Sequence, residues 1–158
     1  MDRISLFVRK KVNLSNSLLT TSTLLIPMSN LVSSLKRGPI KRVEKPWGYE
    51  DFIVNDEKNN YCGKILHIKK GHRFSAHFHS EKQESFFLAR GRVNLWLIDT
   101  TDASLHHGVL EAGDCIEIGR LVPHEVEAIE DSDIIEFSTF HRDDDSYRVW
   151  RKESSLPK

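Results

Sequence analysis

Between Lys41 and Phe140 every apolar run is short, and a turn signal closes each one before a helix could form. Glu50–Val54, Tyr61–Lys69, His72–His79, Glu84–Arg90, Arg92–Asp99, His106–Leu110, Cys115–Ile118, Glu125–Ile129 and Ile134–Phe140 read as strands. Asp56–Asn60, Lys70-Gly71, Thr100–Ser104 and Ala112-Gly113-Asp114 break them, and Gly91 reads as a bend or bulge. Short strands at even spacing with such punctuation predict an all-β chain. A helical period is absent, save for a turn or two after Asp143. This many strands predict a double-sheet barrel of the jelly-roll kind, and a core of about 110 residues buries enough surface to fold alone.

Length and charge narrow the class. At 158 residues one domain is expected. The 23 Lys/Arg and 23 Asp/Glu cancel, so neither nucleic acid nor a membrane surface is expected as a partner. The balance is uneven, because residues 1–43 hold eight Lys/Arg and a single acid, Asp2. Residues 1–38 are rich in Ser, Thr, Leu and basic side chains and keep no period. They are expected to be a basic tail: an organelle presequence, a disordered extension, or an over-long start with Met28 as initiator. The barrel domain is then 39–158. Two cysteines, Cys62 and Cys115, make no disulfide framework. A reducing compartment follows: the cytoplasm, or an organelle if 1–38 is a presequence, and not the secreted space. Both cysteines are expected as small buried strand residues.

Within this frame four side chains share one chemistry. His77 and His79 stand two apart in a strand, so both imidazoles point to one face. Phe74, Ala76 and Phe78 would take the other face. Glu84 precedes Phe86 and Leu88 at period 2 and so shares their barrel-facing side. His124 comes from a distant segment. Three neutral imidazoles and a carboxylate suit one divalent transition metal (Zn, Mn, Fe or Ni), and a carboxylate buried without a partner would be costly. The remaining histidines carry less. His67 falls out of phase with Leu66 and Ile68 and should face outward; His72, His106, His107 and His141 read as solvated.

Gly71, His77, His79, Glu84 and Gly91 are separated by five, one, four and six residues. That spacing resembles the first signature of the cupin superfamily in every defined position. The second signature is partial: Gly113 and His124 keep its spacing, while Gly119, Leu121 and Ala128 stand where proline, glycine and asparagine are usual. The resemblance implies a double-stranded β-helix barrel, with His77, His79, Glu84 and His124 as metal ligands. The flanks, Lys45-Pro46-Trp47-Gly48-Tyr49-Glu50 and Asp143-Asp144-Asp145-Ser146-Tyr147-Arg148, are similar to the cupin domain of type II mannose-6-phosphate isomerases and small stand-alone relatives. In those isomerases glutamine usually occupies the position of His77.

This resemblance implies an aldose–ketose isomerase acting on a sugar or sugar phosphate, with a metal as Lewis acid and a base to shuttle a proton. Glu84 would be that base if it is free of the metal, with Glu136 or His72 next. Lys64 is in phase with Leu66 and Ile68 and should point inward, where it needs an anionic ligand or an internal acid such as Glu136. Lys64, Arg73, Glu136 and Arg148 are therefore the expected substrate-binding residues, and Lys64 and Glu84 the expected catalytic pair. Trp47 and Trp96 are candidates to stack on a sugar or to pack in the core. Two alternatives stand beside the isomerase: a non-haem iron dioxygenase of the cupin type and a non-catalytic sugar-binding module. An exposed sheet edge gives reason to expect a homodimer.

Overall fold

A computed structural model of the chain describes residues 38–149. The expected basic tail therefore lies outside the described residues, apart from its last residue. Eleven strands follow in order: β1 (Lys41–Lys45), β2 (Gly48–Asp56), β3 (Tyr61–Ile68), β4 (Arg73–Phe78), β5 (Glu84–Arg90), β6 (Arg92–Ile98), β7 (Leu105–Glu111), β8 (Cys115–Ile118), β9 (His124–Ala128), β10 (Ser132–Ser138) and β11 (Tyr147–Arg148). They form two sheets, β1-β2-β3-β10-β5-β8 and β11-β4-β9-β6-β7. The all-β barrel is as expected, and each of the nine expected strands is present with ends shifted by at most two residues.

Alternation along the strands builds the core between the sheets. Leu66 and Ile68 from β3, Phe86 and Leu88 from β5, Val93 and Leu95 from β6, Val126 and Ala128 from β9 form one apolar cluster with Ile134. Leu88 and Ile134 are wholly buried, and each such side chain contributes about 1.5–3 kcal/mol relative to exposure. His67 faces outward as its phase requires, its Nδ1 2.7 Å from an Asp133 carboxylate oxygen. Two glycines have no substitute. Gly48 has φ +147° and a Cβ there would lie 1.9 Å from the His67 carbonyl oxygen. Gly91 has φ +88°, and a Cβ would lie 2.3 Å from Ser132 Oγ.

Two local expectations are corrected. Phe74 pairs with Val126 and His77 with His124, so the β4–β9 register slips between them. This bulge turns Phe74 to the same side as His77, with ring centroids 5.4 Å apart. Ala76 instead packs with Trp96 in a separate cluster, and Phe78 stacks on half-exposed Tyr147. Cys62 is buried, but Cys115 is exposed on the edge strand β8, where Ile116 and Ile118 take the inward places. Past Asp143 the chain makes a single 3-10 turn, Asp143–Asp145, before β11.

Candidate metal centre

The bulge in β4 delivers His77 and, just past the strand end, His79 to the barrel interior; β9 opens with His124 across from His77. The three imidazoles present ligand atoms within 4.8 Å of one another. Glu84, the first residue of β5, reaches them from the facing sheet. Its Oε1 lies 2.9 Å from His124 Nε2 and 3.9 Å from His79 Nε2. All four predicted ligands thus converge.

The proton positions follow from the partners. His77 Nδ1 lies 2.9 Å from Ser75 O, His79 Nδ1 2.5 Å from Asp145 O, and His124 Nδ1 3.0 Å from Val122 O. A carbonyl only accepts, so each Nδ1 carries a hydrogen, and in a neutral ring Nε2 is left with the lone pair. Burial, then His124, pushes the His77 pKa down to about 3; burial, then Lys82, pushes His79 down to about 4. Both are neutral at pH 7. His79 Nε2, His124 Nε2 and Glu84 Oε1 are buried without a hydrogen-bond partner. His124 Nε2 and Glu84 Oε1 stand 2.9 Å apart, and a cation beside them would meet both. His77, His79 and His124 could hold a metal ion, and a divalent cation that also met Glu84 would satisfy all three orphaned atoms, a donor set of nitrogen and oxygen that suits it.

Lys82 is the site residue that sequence reasoning missed. Its Nζ lies 2.5 Å from Glu84 Oε2 and 3.0 Å from Glu136 Oε1, and the side chain is buried. Burial alone would raise the Glu84 carboxyl, but His124 at 2.9 Å and then the Lys82 ammonium hold it well below the usual carboxylate range. Lys64 points inward as expected and reaches Glu136 Oε2 at 3.0 Å and Glu50 Oε2 at 3.9 Å. Burial works against Glu136 ionising, yet Lys64 and Lys82 bring its pKa down to about 2. Glu50, Lys64, Glu136, Lys82 and Glu84 therefore form a buried ladder of alternating charge that ends at the histidines.

This ladder lines a cavity of about 920 Å³. Trp47 stands in its wall, edge-on to Phe74 at 5.9 Å, whereas Trp96 stacks on His107 and does not line it. His72 is exposed and is likewise absent from the wall, so it is not placed to act as a base. Arg73 lines the cavity but is tied to Glu125 at 3.3 Å and Glu127 at 3.4 Å. Arg148 lines it from β11, opposite His77 in the strand register, and has no ion-pair partner among the described residues. His141, expected to be solvated, is half-buried and lines the cavity instead. Five cationic side chains and five carboxylates share the wall, so a bound divalent metal would give it a net positive charge.

Comparison with known proteins follows the same lines. The family profile described as "Cupin domain" (Cupin_2) matches residues 64–140. No curated protein sequence matches the chain. Among solved structures, oxalate decarboxylase from Bacillus subtilis is similar with a TM-score of 0.61 at 15% identity, covering 70% of this chain and 30% of that one. KdgF from Halomonas sp. is similar with a TM-score of 0.54 at 17% identity, covering 66% of this chain and 91% of that one. CapF is similar with a TM-score of 0.58 at 15% identity, over 70% of this chain and 34% of that one. The chain thus spans about 30% of the length of the decarboxylase. These likenesses carry the fold and not an activity. The profile match over residues 64–140 holds His77, His79, Glu84 and His124, and the two-sheet barrel has the cupin fold.

Proposed function

We propose that the chain is a metal-dependent isomerase that interconverts an aldose and a ketose, with a small anionic sugar such as a sugar phosphate as substrate. The observation that carries this reading is Arg148: a guanidinium with no ion-pair partner among the described residues, across from His77 in the β4–β11 register, so that one small molecule can meet both the cation and the histidines. A cavity of about 920 Å³ accommodates a monosaccharide. Oxalate decarboxylase, which by its name acts on a small anion, supports an anionic ligand in this fold.

His77, His79, His124 and Glu84 would hold the metal. When bound there it supplies Lewis-acid stabilisation of negative charge developing on substrate oxygens. The chain's own residues do the rest. Arg148 fixes the anionic group, with Lys45 also in the cavity wall. Lys82 keeps Glu84 ionised and aimed at the imidazoles. Glu136 is locked between Lys64 and Lys82 with its pKa at about 2, so it orders the two lysines and is a poor base near neutral pH.

Elemental analysis of the purified chain beside His77→Ala/His79→Ala tests this first. About one metal per chain is expected in the wild type and none in the variant. The zinc- or manganese-loaded protein should then convert mannose 6-phosphate to its ketose, and Arg148→Gln should raise KM for the phosphorylated sugar. Iron with oxygen uptake and no sugar conversion would assign it to the dioxygenases. Metal and ligand binding without turnover would leave a sugar-binding module.

A further inference from the structure

We propose that His141 is the proton-transfer group of this cavity. For its reaction the proposal rests on the isomerase reading; for its geometry it does not.

The segment after β10 is bound unusually tightly for a loop. Thr139 N–H donates to Gln83 O at 3.0 Å, and Gln83 N–H donates to Thr139 Oγ1 at 3.1 Å. Phe140 N–H donates to Asn60 Oδ1 at 3.2 Å. The Asn55 side chain then clamps the backbone of His141 from both sides: its amide donates to His141 O at 2.9 Å, and its Oδ1 accepts from His141 N–H at 2.9 Å. The imidazole is set edge-on to Phe52, centroids 5.5 Å apart, in the cavity wall. Five hydrogen bonds at three successive residues fix the backbone that carries this one side chain, which is what a reacting group requires and a solvated one does not.

The tautomer is also determined. His141 Nε2 lies 3.3 Å from Asp143 Oδ1, and a carboxylate accepts. The proton belongs on Nε2, and the Nδ1 lone pair is bare. That Nδ1 is buried and has no hydrogen-bond partner. A lone pair on one nitrogen with a carboxylate orienting the other is the arrangement of a general base. The charged groups around the ring are Lys64 on β3, Lys82 before β5, Glu136 on β10 and Asp143 in the 3-10 turn. Burial, Lys64 and Lys82 together lower the pKa, against Glu136 and Asp143, so the imidazole is neutral at pH 7. The other candidates are committed: Glu84 to Lys82, Glu136 to two lysines, and His72 is outside.

In the aldose-to-ketose direction Nδ1 takes the proton from C2. The C–H electron pair becomes the C1–C2 double bond as the carbonyl pair moves to O1, which takes up a proton. The O2 proton then leaves, the C2 carbonyl forms, and Nδ1–H returns its proton to C1. No atom is gained or lost; C2 is oxidised and C1 reduced by two electrons each.

The test uses the full-length, metal-loaded chain and His141→Gln, with mannose 6-phosphate as probe. The variant should lose at least about 100-fold in kcat, with KM within about threefold and metal content unchanged. It should also lose the acid limb of the pH profile. An unchanged kcat at full metal content overturns the proposal. A second measurement needs neither turnover nor a folded variant: acylation of wild-type histidines by diethyl pyrocarbonate, read by peptide mass. His141 should be modified near neutral pH and protected several-fold by mannose 6-phosphate. An unmodified or unprotected His141 overturns the proposal even if the chain is active. A modified, protected His141 in a chain that isomerises nothing retires the isomerase reading and keeps His141 as the group of another proton transfer.

Discussion

Lys82 sets the charge state of the centre, since its ammonium is the direct partner of both Glu84 and Glu136. Lys82→Met removes one cation from two buried carboxylates. The uncompensated charge should cost the metal-free protein about 3–5 kcal/mol, read as a lower urea midpoint at pH 7. A midpoint within error of the wild type would show that Lys64 alone neutralises the pair. Lys64 was legible in the sequence because its phase with Leu66 and Ile68 fixes its direction. Lys82 was not, because it lies in the four-residue gap between His79 and Glu84, where no period orients a side chain. The same holds for His141: what turns it inward is Asn55, 86 residues away in sequence, through two hydrogen bonds that no local pattern encodes.

At the scale of elements, the ligand loop between β4 and β5 depends on the 3-10 turn Asp143–Asp145. The Asp145 carboxylate accepts from the backbone N–H of Ser80 at 2.9 Å, of Glu81 at 3.1 Å and of Lys82 at 2.9 Å, while its carbonyl accepts from His79 Nδ1. One residue therefore shapes the loop and orients a ligand. Asp145→Asn replaces an acceptor oxygen by an N–H that opposes those donors. Metal affinity should fall by about 10–100-fold with the strand content intact, measured by competition with a coloured chelator. Unchanged affinity would mean the strand ends alone orient His79. Elements differ in how far the sequence reveals them. Nine strands announced themselves by apolar runs. The first, β1, did not, because four of its five residues are charged (Lys41, Arg42, Glu44 and Lys45), a composition that protects an edge strand and hides it. The β4 bulge was hidden for another reason: a register slip depends on the partner strand β9, so alternation alone assigned Phe74 to the wrong face.

For the whole molecule the centre is a cross-link. His77 and His124 belong to the five-stranded sheet, His79 follows the end of β4, and Glu84 belongs to the six-stranded sheet, so a metal bound by all four would tie the two halves of the barrel. At a thousandfold excess over Kd, metal should add about 4 kcal/mol to stability, seen as a higher Tm that a chelator reverses. Acid should act on the metal-free barrel in two stages. The folded-state pKa values of His77 and His79, about 3 and about 4, lie below the ordinary 6.5, so the unfolded chain binds protons first. Their neutral burial costs nothing above pH 6.5, and stability then falls as the pH drops toward 4, by roughly 3–6 kcal/mol. Glu136 acts in the next window: its folded pKa of about 2 lies below the ordinary 4.5, so its contribution is whole above pH 4.5 and is lost as the pH falls through 2. Urea midpoints of the chelated protein between pH 7 and pH 4 distinguish the two stages. A decline that begins near pH 6.5 places it on the buried imidazoles, and one that begins near pH 4.5 would mean those histidines are solvated and the ligand cluster is open when the metal is gone.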